Sequence, residues 1–374
     1  MKRLLALVLV AGSLLTACAA SAPKPQDTAQ PDGTTQNSAP PVSQPTQPPT
    51  QPPTQPPTQP PVLYRNPLTG EPMDAPLEDR PFAVMFNNNK PAMPQHGISQ
   101  ADIFYEILTE GGITRCMGIF SDLSQVEKLG SIRSARKYFV DIAQSYDAIY
   151  LHAGGSNEAY NYLKNLGCDH LDGSKGKGAG SYFYRDQDRL DAGYSLEHTL
   201  FISGSKAVSY AEKMKCAMTR PGGIRYGLLF DREGLSGGAK AENVTVYFNR
   251  GKNPNSSTKK TEFSYSAGEQ IYYAKQYGKD HVDGNTGNTV GFRNVLVLHA
   301  STTLQSDGIL LSIDLTGSGK GHFFCNGQKV DILWSRESLK APFVYTLADG
   351  TPLTMGEGKS YIAVVPNNAK ILWQ

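Results

Sequence analysis

Apolar and polar positions along the chain change their period at about residue 231, and that change divides the folded part into two stretches. In the first, Phe82 to Phe86 is an unbroken apolar run after Arg80-Pro81, and Asn87-Asn88-Asn89 and Pro91 end it. Such a run predicts a strand buried on both faces. Ile103 to Thr109 and Arg115 to Phe120 read as two more strands, joined by Glu110-Gly111-Gly112 as a hairpin. From Ser134 the spacing becomes helical, with Ala135, Tyr138, Phe139, Ile142, Ala143 and Tyr146 on one face. Ser134 is the expected N-cap of that helix, with Gly130-Ser131 as the turn ahead of it. A strand over Ala148 to His152 follows, closed by Gly154-Gly155. Ser156 then caps a helix over Glu158 to Leu166, and a further helix spans Ser203 to Met218.

Beyond Asp231 to Ala241, which reads as a linker, no helical period survives. Short alternating runs follow: Val244 to Asn249, Glu262 to Ser266, Gln270 to Tyr277, Asn294 to His299, Ile309 to Asp314, Gly321 to Cys325, Gln328 to Trp334, Phe343 to Leu347 and Ser360 to Val365. Asn326-Gly327 and Asp349-Gly350 are hairpin turn pairs. The expected fold class is therefore α+β. A mixed α/β domain over residues 62–230 and a linker at 231–241 precede an antiparallel all-β domain over 242–374, a sandwich or partly open barrel.

The residues before 62 belong to neither stretch. Lys2 and Arg3 precede an apolar run from Leu4 to Leu15, a secretory signal too short to span a bilayer as a stable helix. It ends Leu15-Thr16-Ala17-Cys18, which resembles the bacterial lipobox. Cleavage after residue 17 would leave Cys18 as a lipidated N-terminus, anchoring the chain on the extracytoplasmic face of the membrane. Residues 18–61 are Pro, Gln, Thr, Ser and Ala with a repeated Gln-Pro-Pro-Thr unit, and have no apolar face. They are expected to be a disordered tether, in which a stretch of about 39 residues in extended polyproline conformation would reach roughly 120 Å.

Composition narrows function more than it defines it. A net charge of +2 leaves no footprint for nucleic acid. Cys116, Cys168, Cys216 and Cys325 are widely spaced, with no Cys-x-x-C, so no zinc knuckle or thioredoxin-like site is expected. Export permits disulfides among them in any of three pairings. No cofactor or resident metal is implied. The Gly-rich loop from Gly173 to Ser181 lacks the Gly-Lys-Ser/Thr ending of a phosphate loop and reads as a solvated surface loop.

Candidate chemistry concentrates between Asp102 and Ser156. Arg133 and Arg136 flank Ser134 beside the expected helix N-terminus, where the macrodipole is already positive and each cation costs up to ~1 kcal/mol. An anion should offset them: Glu106 or Glu110 within the protein, or a bound phosphate, sulfate or carboxylate, with Arg115 contributing. A solvated pair is the third alternative. His152 before Gly154, with Ser156 four residues on, could pair a base with a nucleophile, yet Ser156 is better explained as a helix cap. His152, His198 and Asp102 or Asp186 lack tight metal-ligand spacing. Glu106 and Glu110 fall on one side of a strand by parity, unless the turn intervenes, and paired carboxylates suit glycan chemistry.

Three motifs carry a resemblance: Glu110 to Arg115 (EGGITR), Gly130 to Ala143 (GSIRSARKYFVDIA) and Tyr150 to Ser156 (YLHAGGS). With FFCNGQKVDILW and the PFVYTLADGTPLTMGEGKSYIAVVP run near the C-terminus, they resemble the YerB-like lipoproteins, over essentially everything after the tether. The resemblance implies a two-domain extracytoplasmic lipoprotein of Gram-positive-type bacteria and assigns no activity. Relatives tend to carry Pro-His-Asn where this chain reads Ser195-Leu196-Glu197-His198; His198 matches and its flanks do not. Two functions follow. In one, Arg115, Arg133, Arg136 and Ser134 bind an anionic envelope ligand, or the protein docks an envelope partner. In the other, an envelope hydrolase or transferase uses Glu106 or Glu110 with His152, and His198 as a further catalytic candidate.

Overall fold

Residues 64–220, 226–249 and 259–374 are described by the computed structural model. The expected signal peptide, Cys18 and the tether lie outside them. The fold is α+β with few helices, and its centre is an 11-stranded sheet. The main elements are β1 (Phe82–Asn87), β2 (Ile103–Leu108), β3 (Thr114–Phe120), α1 (Lys137–Ser145), β4 (Ile149–His152), α2 (Asn157–Leu166), β5 (His170–Asp172) and α3 (Gly204–Lys213). They continue as β6 (Asn243–Tyr247), β7 (Lys260–Ser266), β8 (Ile271–Gln276), β9 (Asn294–Ala300), β10 (Gly317–Cys325), β11 (Gln328–Arg336), β12 (Val344–Leu347), β13 (Ser360–Pro366) and β14 (Ile371–Trp373).

The large sheet runs β11-β10-β9-β13-β2-β3-β1-β4-β5, with β12 and the short strand Ala239–Lys240 both paired to β11. Hairpins β2–β3 and β10–β11 are antiparallel, while β13 lies parallel to both β9 and β2. Strands β1, β4 and β5 are mutually parallel. Both faces are buried, as the continuous apolar runs of β1 and β13 require. One face carries Ala83, Met85, Tyr105, Met117 and Tyr150 and packs under α1 and α2. The other carries Val84, Phe86, Phe104, Cys116 and Tyr361. A second sheet of six strands covers it with Val244, Val246, Phe263 and Tyr272.

Local chemistry explains most boundaries. Ser156 caps α2 by accepting the Ala159 N–H, and Gly167 closes it at φ +61°. Asn326 and Gly327 both take positive φ in the β10–β11 hairpin, as a type I′ turn demands. The third helix is shorter than the expected 203–218: Ser203 caps it, and it ends at Lys213, ahead of Lys215 at φ +60°.

Helix α1 differs at its start. Ser134 is not its N-cap; Arg136 is, in extended conformation and with no side-chain cap bond. Residues 131–135 are drawn into the sheet end instead. Arg133 N–H donates to Met85 O, Ala153 N–H to Arg133 O and Ala135 N–H to Gly154 O. The burial of Ala135 comes from this strand-like seat against Gly155, not from a helical face. The segment read as a linker is also paired: Leu229–Asp231 runs parallel to Thr354–Gly356, and Ala239–Lys240 pairs with β11. All four cysteines are free. Among the described residues, no helix is long and apolar enough to cross a membrane, and no group of three or more His, Cys, Asp or Glu could hold a metal.

Candidate functional site

Strands β1, β2, β4 and β5 share one direction, so Asn87, Glu110, His152 and Asp172 leave them at the same end of the sheet. Arg115 starts β3 there, opposite Asn87. The 131–135 segment wedges between the tips of β1 and β4, bringing Arg133, Ser134 and Arg136 to the same edge. The carboxyl ends of parallel strands are where open sheets place ligands, because loops diverge there and backbone donors are left free.

Glu110 sits in the turn between β2 and β3 and holds two guanidinium groups. Arg115 donates to its Oε1, and Arg136 donates through Nε to Oε2 at 3.1 Å and through Nη2 to Oε1. Both arginines also reach backbone carbonyls: Arg115 to Ser134 O at 3.1 Å and Arg136 to Ala135 O at 2.7 Å. Burial works to raise the Glu110 pKa, but Arg115 and Arg136 beside it bring it below the usual carboxylate value. Burial, aided by the charge of Arg136, lowers Arg115 to about 10. Its Nε–H is buried and has no acceptor among the described residues. The Tyr150 hydroxyl, in the field of the same two arginines, is buried without a partner among the described residues too. Arg133 pairs elsewhere, with Glu197. Arg115 and Arg136 thus share one carboxylate, while Arg133 has its own.

Beside them His152 is fully buried. Its Nδ1 lies 2.8 Å from Gly154 O and its Nε2 3.0 Å from His170 Nδ1. A carbonyl only accepts, so Nδ1 carries the proton and Nε2 accepts from His170. Burial holds His152 at about 4, neutral at physiological pH. Asp172 fixes the loop above by accepting Gly154 N–H (2.9 Å), Ser174 N–H (2.8 Å) and Tyr160 O–H (2.6 Å). Ser134 lies close by: a Cβ on Gly154 would stand 3.5 Å from its Oγ. Lys175, expected to be solvated, has Nζ 4.6 Å over the Tyr160 ring.

Glu106 does not join this cluster. It alternates with Phe104 on the face under the second sheet, whereas His152 shares the opposite face with Tyr150. The turn does intervene, and Glu106 and Glu110 serve separate networks. Fully buried, Glu106 pairs with Lys259 at 2.7 Å and accepts from Thr114 (2.6 Å), Thr261 and Gln276 (2.8 Å each), Asn88 (3.0 Å) and Tyr361. Burial alone would raise its pKa; Lys259 and these donors hold it at about 2. His198 is also apart from His152, its Nδ1 2.8 Å from Asn87 Nδ2. Asp186 is held by Lys128 and by the Arg189 N–H, and Asp102 accepts the Ser121 N–H, so neither approaches His152. Sequence reading misses His170, Asp172, Tyr160, Glu197 and Lys259. The alternation His170-x-Asp172 was the only local signal; the others depend on contacts distant in sequence.

The architecture defines a class first: a two-part α+β protein with an arginine–carboxylate cluster at the carboxyl ends of its parallel strands. Residues 68–217 match the "Protein of unknown function (DUF3048) N-terminal domain" and residues 252–362 the corresponding C-terminal domain. The chain belongs to this family. It is 30% identical over 303 residues to "Putative lipoprotein YerB" of Bacillus subtilis (strain 168), covering 80% of this chain and 86% of that one. The crystal structure of YerB from Bacillus subtilis is similar with a TM-score of 0.70 at 31% identity, over 82% of this chain and 99% of the other.

Proposed function

We propose that the protein is a lipoprotein anchored through Cys18 to the extracytoplasmic face of the membrane. There it binds an anionic group of an envelope polymer or partner at the Arg115–Arg133–Arg136 edge. The observation that carries this reading is the uneven pairing: Arg115 and Arg136 share the single carboxylate of Glu110, Arg133 pairs with Glu197, and among the described residues the Arg115 Nε–H is left without an acceptor. An arriving oxyanion would meet the partly exposed Arg133 guanidinium, which among the described residues is bonded only through Nη2, to Glu197. The name of the Bacillus subtilis relative, "Putative lipoprotein YerB", supports the anchoring half of the reading. The hydrolase or transferase reading has less support. Glu106 is ionised and saturated with donors on the far face, Glu110 is held by two arginines, and both ring nitrogens of His152 are engaged. A general acid near His152 would need a raised pKa, and Asp172 there is lowered instead by its donors Gly154 N–H and Tyr160, against the effect of burial.

The test is thermal unfolding against phosphate, sulfate and a teichoic-type polyanion. Ligand at ~100 times its dissociation constant should add about 2.7 kcal/mol to the native state. The expected outcome is a rise in Tm with wild type that disappears in Arg133→Ala/Arg136→Ala. A wild type indifferent to every anion would remove the basis of the reading.

A further inference from the structure

A second hollow lies far along the sheet from the arginines. It is an open groove of about 750 Å³ over β9, β10 and β11, lined by His299, Lys320, His322, Asp331, Leu333 and Asn367 among others. His322 shares its face of β10 with Phe324, which packs under the second sheet. The groove is where that sheet ends, at its edge strand β14: the ring of Trp373 is 5.8 Å from His322 and has Lys329 Nζ 4.5 Å over it.

The polar groups here point to one ligand chemistry. His322 Nδ1 stands 2.7 Å from Asp331 Oδ1, and Lys329 Nζ donates to that same oxygen at 2.6 Å. Facing a carboxylate, Nδ1 is the protonated nitrogen, which leaves the Nε2 lone pair of His322 open. His299 Nδ1 faces Pro366 O at 3.3 Å, so its Nε2 is an acceptor as well. Asp331 Oδ2 receives no hydrogen bond from the described residues, and its side chain is 68% exposed. Burial lowers the pKa of both histidines, so they stay neutral and keep those lone pairs near neutral pH. The groove therefore offers three acceptors, with Asn367 and Lys320 as donors. Leu333 in its wall and Trp373 beside His322 remain 42% and 41% exposed.

We propose that this groove binds a neutral, hydroxyl-rich glycan chain. Hydroxyl groups supply the donors that the two Nε2 atoms and Asp331 Oδ2 require, and they accept from Asn367 and Lys320. The apolar C–H faces of pyranose rings cover Trp373, whose π-face is electronegative, and Leu333. A polyanion is poorly matched: it brings no donors and meets the Asp331 carboxylate. The volume falls within the ~300–1,000 Å³ typical of ligand sites. This inference stands on the groove alone and does not depend on the arginine edge.

Tryptophan emission of the full chain reads the test, because Trp334 is buried and Trp373 is half-exposed. The probes are chitotetraose, cellotetraose and maltotetraose, with inorganic polyphosphate as the charged arm. At least one neutral tetrasaccharide should shift the emission to the blue with saturation. Asp331→Ala should weaken that binding tenfold or more, while Arg133→Ala leaves it unchanged. Trp373→Leu should abolish the shift and retain the emission of folded Trp334. The proposal is overturned if no tetrasaccharide saturates, if Asp331→Ala binds as wild type does, or if only polyphosphate binds.

Discussion

Glu106 is the most demanding residue of the fold, a carboxylate with no exposed surface that pairs with Lys259 from the other half of the chain. Breaking a buried pair by removing one partner strands the other charge, at about 3–5 kcal/mol. Lys259→Met should therefore destabilise by that amount in urea unfolding, and Glu106→Gln/Lys259→Met together by clearly less than the sum. Equal and additive losses would mean that the pair is not a coupled unit. The same groups set the acid response. His152 and His281 are both lowered by burial from 6.5 to about 4, so the unfolded chain takes up their protons first as pH falls. Stability present above pH 6.5 is thus lost progressively towards pH 4, by up to about 3 kcal/mol for each histidine. Glu106, depressed from 4.5 to about 2, adds a second loss between those values. The urea midpoint should fall steadily from pH 7 to pH 4, and His281→Gln should flatten that slope. A midpoint constant over the interval would show that neither histidine is held neutral by folding.

At the scale of elements, the helix caps can be tested directly. Ser156 is a bonded N-cap, and Ser156→Ala should cost about 1 kcal/mol in the urea midpoint without altering the Arg133 edge. Ser134 caps nothing, so Ser134→Ala should leave α1 intact; a loss of helical ellipticity would contradict the assignment of Arg136 as its N-cap. This contrast marks the limit of what is legible in the chain. Tyr138, Phe139, Ile142, Ala143 and Tyr146 suffice to predict α1, and the strands and the Asn326-Gly327 turn follow from period and turn chemistry alone. The start of α1 does not, because Ser134 and Ala135 answer to β1 and β4, strands some fifty residues before and fifteen after. For the site, the sequence contains the arginines and Glu110 as near neighbours. It does not contain the partner of Arg133, Glu197, nor the registers that put Glu106 and His152 on opposite faces. Those are properties of long-range pairing, and no local pattern encodes them.

The whole molecule follows from the placement of one strand. β13, near the end of the chain, lies between β9 of the later stretch and β2 of the earlier one, parallel to both. The large sheet is therefore continuous across the two family segments, and Tyr361 of β13 donates to Glu106 of β2. A chain ending at residue 230 would leave β2 as a long apolar edge carrying a buried carboxylate stripped of Lys259, Thr261, Gln276 and Tyr361. Unpaired, flat, hydrophobic edges recruit other chains, so that fragment should aggregate more readily than residues 62–374, in which β13 covers β2. Cooperativity is the sharper measure. Trp334 and Trp373 both report on the later stretch, and the labelling of buried Cys116 reports on β3 in the earlier one. If one sheet and one ion pair join the stretches, urea should expose Cys116 and shift the tryptophan emission with the same midpoint and slope, despite a length at which separate transitions are common. Lys259→Met should move both midpoints together. Two resolved midpoints in wild type would mean that the β13–β2 seam opens before either half unfolds, and that the halves are independent units in contact.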